Sequence, residues 1–248
     1  MVENKNHYWM YSKHAIQNAI LNPDRKIKEM LVEERLKDYY EKFFRNNKIK
    51  KNIKINVANK ALIIKKIGKL AKYQGIALYV EKILVRTKLS LNYSTINNNF
   101  LLILDKLNDP INFGAILRVS YAFGINTIII PDRYMPDENG YIASIASGAL
   151  DKINIIKVKN IINIINYLKK NNWWVIGLES KKLEACINLK NQNSKYEKKA
   201  LIIGSESRGI SHLVRKNCDL LYRIPTKNDD LDSINVVQAT SIALYELT

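Results

Sequence analysis

The chain has 248 residues, 47% of them hydrophobic and 25% charged, a composition that argues against disorder and suffices for one large domain or two modest ones. Forty basic against 23 acidic side chains give a formal net charge of +17, so a polyanionic partner is expected, nucleic acid or an anionic surface, with a bias towards Lys, Asn and Ile as the plainer explanation. No uninterrupted apolar run reaches the roughly 18 residues of a membrane span, and the polar start from Met1 to Lys13 carries Glu3, so a soluble cytoplasmic protein with no membrane partner is expected.

In chain order, a helix is predicted near His14 to Leu21, then the turn Asn22-Pro23-Asp24, the apolar segment Ile27 to Val32 and a polar helix over Glu33 to Asn46. The short segments Ile53 to Val57 and Gly75 to Val80 complete a small α/β unit. From Arg45 through Val80 there is no Asp or Glu, whereas Lys48, Lys50, Lys51, Lys54, Lys60, Lys65, Lys66, Lys69 and Lys72 all fall there. A solvated face normally mixes signs. The concentration of positive charge therefore points to nucleic acid more than composition alone does. Between about Lys82 and Asn99 the sequence turns polar, which predicts domains over 1–83 and 100–248 joined by a linker at 84–99.

From Phe100 onward, strands are predicted at Leu101 to Leu104, Thr127 to Ile130, Trp174 to Leu178, Ala200 to Ile203 and Leu221 to Ile224. Helical segments lie between them, near 113–123, 140–149, 161–171, 209–216 and 235–247. Short continuous apolar strands alternating with helices predict a mostly parallel, buried sheet with its chemistry beyond the strands' carboxyl ends. The two cysteines, Cys186 and Cys218, and the three histidines lack metal-ligand spacing, so neither a metal nor a disulfide is expected.

Three segments carry candidate chemistry. The first strand runs into Asp105-Lys106-Leu107-Asn108-Asp109-Pro110-Ile111-Asn112-Phe113-Gly114, with Arg118 further along the following helix; read plainly, Asn112 caps that helix and Arg118 is solvated. Next, Ile203 leads into Gly204-Ser205-Glu206-Ser207-Arg208-Gly209-Ile210, a glycine-bracketed turn that can hold a small ligand on its backbone amides or serve as structural punctuation. Last come Ile224-Pro225-Thr226, the acidic loop Lys227 to Asp232, and Ser233-Ile234-Asn235-Val236, where Ser233 or Asn235 caps a helix burying Val236, Thr240, Ala243 and Leu247.

The ordered trio N-x-G-x-x-x-R, G-x-E-x-x-G and I-P followed by S-I-N-V resembles the motifs of the SpoU branch of the SPOUT superfamily of RNA 2′-O-ribose methyltransferases over about 100–247. Upstream, Trp9-Met10-Tyr11-Ser12-Lys13-His14-Ala15-Ile16 and Tyr73-Gln74-Gly75-Ile76-Ala77 resemble landmarks of that family's small amino-terminal RNA-binding domain. The similarity is greatest to the bacterial-type enzymes that methylate guanosine ribose in large-subunit ribosomal RNA. The resemblance implies an α/β fold with a trefoil knot in the carboxyl-terminal SPOUT domain, a homodimer, and S-adenosylmethionine held by Gly204, Ile224 and Ile234 with Ser205, Glu206, Gly209, Pro225 and Asn235 shaping the pocket. It implies Arg118 as catalytic residue, with Asn112, Glu206, Ser233 and Asn235 orienting it and the ribose.

Ile111, Ser12 and Tyr73 replace residues usual in the family (histidine, glycine and histidine), and Thr226 with the acidic loop to Asp232 replaces a Met and a short Gly-containing loop beside the expected cofactor pocket. Transfer RNA as substrate, and a non-catalytic RNA-binding or ribosome assembly factor on the same fold, are the competing readings.

Overall fold

A computed structural model describes residues 5–69, 71–84, 99–180, 183, 185–190, 196–205, 208–227 and 233–248. Two compact units emerge, one comprising 1–86 with Asp137–Lys152, the other 87–136 with 153–248. The division departs from the sequence expectation in one respect, because Asp137–Lys152 packs with the amino-terminal residues. Most of the expected linker, 85–98, lies outside the described residues.

The amino-terminal unit is built on a four-stranded sheet of β1 (His7–Met10), β2 (Ile27–Val32), β3 (Ile55–Val57) and β4 (Ile76–Glu81), in the order β1-β4-β2-β3. The β4 strand pairs antiparallel with both neighbours, and β2 and β3 run parallel. Helices α1 (Lys13–Leu21), α2 (Glu34–Asn46) and α3 (Lys60–Ile67) accompany the sheet; β1 and α3 were not predicted. Helix α1 buries Ala15, Ile16, Ala19 and Ile20, one stripe at helical spacing. That stripe packs beside α5 (Gly140–Ala146) and the 3₁₀ turn Ala149–Asp151.

Charge holds this packing in register. The Arg25 side chain, 2% exposed as a residue, donates from Nε and Nη2 to the two carboxylate oxygens of Asp151 at 2.7 and 3.0 Å. Its Nη1 donates to Glu138 Oε1 at 2.7 Å and to the Glu81 carbonyl at 3.0 Å. The Tyr8 hydroxyl and the Leu84 amide also donate to Glu138, at 2.8 and 2.9 Å, and Asn22 donates to Asp151 at 3.0 Å. Burial in this company pushes the Tyr8 phenol well up. A buried ion pair is tolerated only when its remaining donors and acceptors are satisfied, as they are here. Of the lysines in the acid-free stretch, Lys51 proves structural: its ammonium donates to the carbonyls of Asn22 and Arg25.

The carboxyl-terminal unit is a seven-stranded, wholly parallel sheet of β5 (Phe100–Leu104), β6 (Thr127–Pro131), β7 (Asn154–Val158), β8 (Trp174–Leu178), β9 (Cys186–Asn188), β10 (Lys199–Ile203) and β11 (Leu220–Arg223), in the order β7-β6-β5-β10-β8-β11-β9. The expected α/β architecture with a mostly parallel sheet is present, with β7 and β9 added to the predicted strands. Leu101, Ile103, Ala200 and Ile202 form a core with Ile164, Ile165 and Leu168 of α6 (Ile161–Lys170) and with Val214 of α7 (His212–Lys216). Helices α4 (Pro110–Ala122) and α8 (Val236–Leu247) pack against each other. Among the described residues, no helix is long and apolar enough to cross a membrane.

Candidate active site

The strand order of the carboxyl-terminal unit reverses between β5 and β10: the chain proceeds outward from β5 through β6 to β7, then returns on the other side. In open parallel sheets the crevice beyond the carboxyl ends of the strands at such a reversal is where ligands bind. Strands β5, β10, β8 and β11 lie side by side, so the loops that follow them share one edge. All three sequence motifs emerge there.

Glycine at 204 is dictated by space. A Cβ on Gly204 would lie 2.0 Å from the carbonyl carbon of Gly209 and 2.2 Å from the amide nitrogen of Ile210. The chain doubles back at this point, and Ser205 and Gly209 exchange backbone hydrogen bonds of 3.1 and 2.9 Å, with Gly209 at φ +63. Two carboxylates that were not singled out from the sequence brace the turn. Asp105, directly after β5, is 2% exposed; its amide donates to the Ile203 carbonyl and its carboxylate accepts from the Ser211 amide, both at 2.8 Å. Glu179, directly after β8, is also 2% exposed, stands 2.7 Å from Arg215 Nε, and lies 3.3 Å from where a Gly209 Cβ would be. Their common signal is an acidic residue closing an apolar strand.

After β11, Ile224 is half-buried and Pro225 exposed, and the Thr226 hydroxyl lies 3.4 Å from Arg223 Nη2. The departure from the family pattern at Thr226 is thus accommodated by a neighbour on β11. Of the two candidate caps for α8, Asn235 serves: its side chain accepts from the Val237 amide at 2.9 Å. Ser233 is exposed and Ile234 half-buried. Residues 228–232 of the acidic loop, and the site candidate Glu206 with Ser207, lie outside the described residues.

The cap reading of Asn112 is corrected by the structure. Asp109 caps α4, accepting from the Ile111 amide at 2.9 Å, and Pro110 occupies the first helical position. A proline's fixed φ and missing donor suit that place, which moves the helix start upstream of the residue expected. Asn112 therefore lies inside the first turn, 8% exposed, while Arg118 is exposed on the same helix. Six residues separate them by about 9 Å along the axis and about 120° around it. The structure brings Gly204, Ser205, Gly209, Ile224, Pro225, Ile234 and Asn235 onto loops of one sheet edge, and sets Arg118 apart from Asn112 on a helix surface.

The tight Gly204–Gly209 turn offers backbone groups, and Ile224 and Ile234 offer half-buried apolar surface, the mixture usual in small-molecule sites.

The SpoU rRNA Methylase family model matches residues 99–245. A TrmH-family tRNA/rRNA methyltransferase of Staphylococcus aureus is 31% identical over 95% of this chain and 93% of its own. The 23S rRNA (guanosine-2′-O-)-methyltransferase RlmB of Xylella fastidiosa is 30% identical over 98% of this chain and 96% of its own. Among solved structures, the SpoU methyltransferase AviRb of Streptomyces viridochromogenes in complex with AdoMet superposes with a TM-score of 0.76 at 17% identity, covering 97% of this chain and 89% of that one. Motif order, sheet topology and these likenesses agree, and the chain belongs to the SpoU rRNA methylase family.

Proposed function

We propose that the protein transfers a methyl group from S-adenosylmethionine to a ribose 2′-oxygen of RNA, a guanosine of 23S-type ribosomal RNA. The observation that carries this reading is that the three motifs follow β5, β10 and β11, whose carboxyl ends lie along one edge of a single parallel sheet. Gly204, Ile224 and Ile234, with Ser205, Gly209, Pro225 and Asn235, hold the cofactor, chiefly through backbone groups. When bound, it supplies a methyl group already activated on a sulfonium. The remaining tasks are to position the ribose oxygen and to lower the cost of negative charge upon it.

Arg118 suits the second task. A guanidinium, with a pKa above about 12, stays protonated and stabilises the charge developing on the 2′-oxygen as its proton leaves. Its exposure on α4 places it where RNA can reach it. Glu206, Ser233 and Asn235 orient Arg118 and the ribose, and Asn112, on another face of α4 from Arg118, acts on the ribose side alone. Residues 1–83 serve as the substrate-binding domain, and the carboxyl-terminal domain is threaded as a trefoil knot. The protein works as a homodimer, for which α4 and α8 expose Ile111, Tyr121, Ile242 and Tyr245. Transfer RNA as substrate is the second reading; the match of the RlmB relative along the amino-terminal residues as well favours ribosomal RNA.

Calorimetric titration with S-adenosylmethionine tests the pocket: saturable binding to wild type is expected, and no binding would favour a non-catalytic RNA-binding role. Light scattering tests the dimer, with a mass of two chains expected.

A further inference from the structure

The amino-terminal unit contains a cleft of about 750 Å³, apart from the three motifs of the carboxyl-terminal unit. Its floor is one face of the β1–β4 pair, where His7 and Trp9, two residues apart, point the same way. Tyr79, opposite Trp9 in register, stacks on Trp9 at 4.9 Å and on His7 at 5.4 Å between ring centroids. One wall is the end of α3 and the turn after it, bearing Lys66, Gly68 and Lys69; the other is the start of α5, bearing Tyr141. No Asp or Glu lines the cleft among the described residues.

Two properties narrow the occupant. The floor is aromatic, and Tyr141, 49% exposed, adds a further ring. Cations border it: Lys66 Nζ lies 5.6 Å from the Trp9 ring centroid, and Lys66 and Lys69 are both exposed. A cationic ligand would be repelled by the lysines, and a bare inorganic anion would leave the rings unused. A planar heterocycle joined to an anion uses both.

We infer that this cleft binds an unpaired nucleotide of the RNA substrate, its base stacked against the Trp9–Tyr79–Tyr141 surface and its phosphates beside Lys66 and Lys69. The inference rests on the RNA reading above and deepens it. A base inside a duplex has both faces covered, so the cleft selects single-stranded RNA, in which bases stack on aromatic side chains. The acid-free composition of 45–80 then has a local purpose, since α3 and the turn after it supply the cations without a competing carboxylate.

The test uses the full chain, titrated with a single-stranded RNA dodecamer and with the same dodecamer carrying abasic riboses in place of bases. Loss of a stacked base weakens binding by roughly tenfold, so the abasic strand should bind about tenfold more weakly to wild type. Tyr141→Ala, at an exposed position, should bring the base-bearing strand to the same level. The RNA should also quench tryptophan fluorescence in wild type and not in Trp9→Phe, which separates the cleft from Trp173 and Trp174. Equal affinity for the two strands, or quenching unchanged in Trp9→Phe, would overturn the inference without requiring any variant to be destabilised. Methyl transfer by wild type, followed in parallel, separates the two failures: an active enzyme indifferent to bases refutes the cleft alone, whereas absence of transfer to any RNA refutes the function.

Discussion

The amino-terminal unit buries the charges of Arg25, Glu138 and Asp151 at its centre, whereas the carboxyl-terminal unit fills its strand interiors with Leu and Ile and sets Asp105 and Glu179 just past the strand ends. The contrast reflects what each unit must specify. A wide parallel sheet buried on both faces obtains its cohesion from apolar area, and its carboxylates are free to shape loops. The smaller unit must recruit Asp137–Lys152 from far along the chain. Its charge network fixes which segment packs and in what register.

Removing one member of that network gives the largest effect on stability. Arg25→Ala leaves two buried carboxylates without their cation, which costs about 3–5 kcal/mol; thermal or urea unfolding should show it. Replacing Arg25, Glu138 and Asp151 together by apolar residues of similar size should cost much less. If the single and triple replacements prove equally harmful, the network is not the specifying element.

Arg118→Ala touches chemistry rather than stability. Loss of one electrostatic stabiliser lowers the rate by about 10²–10³, with the melting temperature and S-adenosylmethionine affinity unchanged, and Arg118→Lys should recover little of it. Full activity in Arg118→Ala would remove Arg118 from the mechanism.

Gly204→Ala tests the claim that carboxyl-terminal loops, not charge, set the pocket. Its Cβ meets backbone at 2.0 Å, which forces the turn to move at a cost of about 3 kcal/mol and should abolish cofactor binding in calorimetry. Asn235→Ala removes only a helix cap, about 1 kcal/mol, and should shift the melting temperature by a few degrees. The smallest effect concerns Cys218, whose thiol burial pushes up to about 12. Its alkylation at pH 8 should be about a thousandfold slower in the folded than in the unfolded protein, read by mass spectrometry of the labelled peptide.

The same contrast explains what could be read from sequence. Strands β5, β6, β8 and β10 announce themselves as continuous apolar runs because both their faces are buried, and the segments after β10 and β11 leave the sheet as turns while the first motif lies on α4. Strand β1 was missed because His7 and Trp9 alternate with buried Tyr8 and Met10 over only four residues beside a polar terminus. Helix α3 was missed within a lysine-rich stretch whose core contribution is Ile63. Arg25 follows a turn and looks like a solvated residue; its partners lie more than a hundred positions away, a separation no local pattern encodes. Asn112 was read as a cap because its type fits, while Asp109 ahead of Pro110 fits better.

The most direct test of the central claim is incubation of the purified protein with unmodified ribosomal RNA and isotopically labelled S-adenosylmethionine, followed by digestion to nucleosides and mass spectrometry. A label on the ribose 2′-oxygen of guanosine is predicted. A label on a base, or none on any RNA offered, would contradict it.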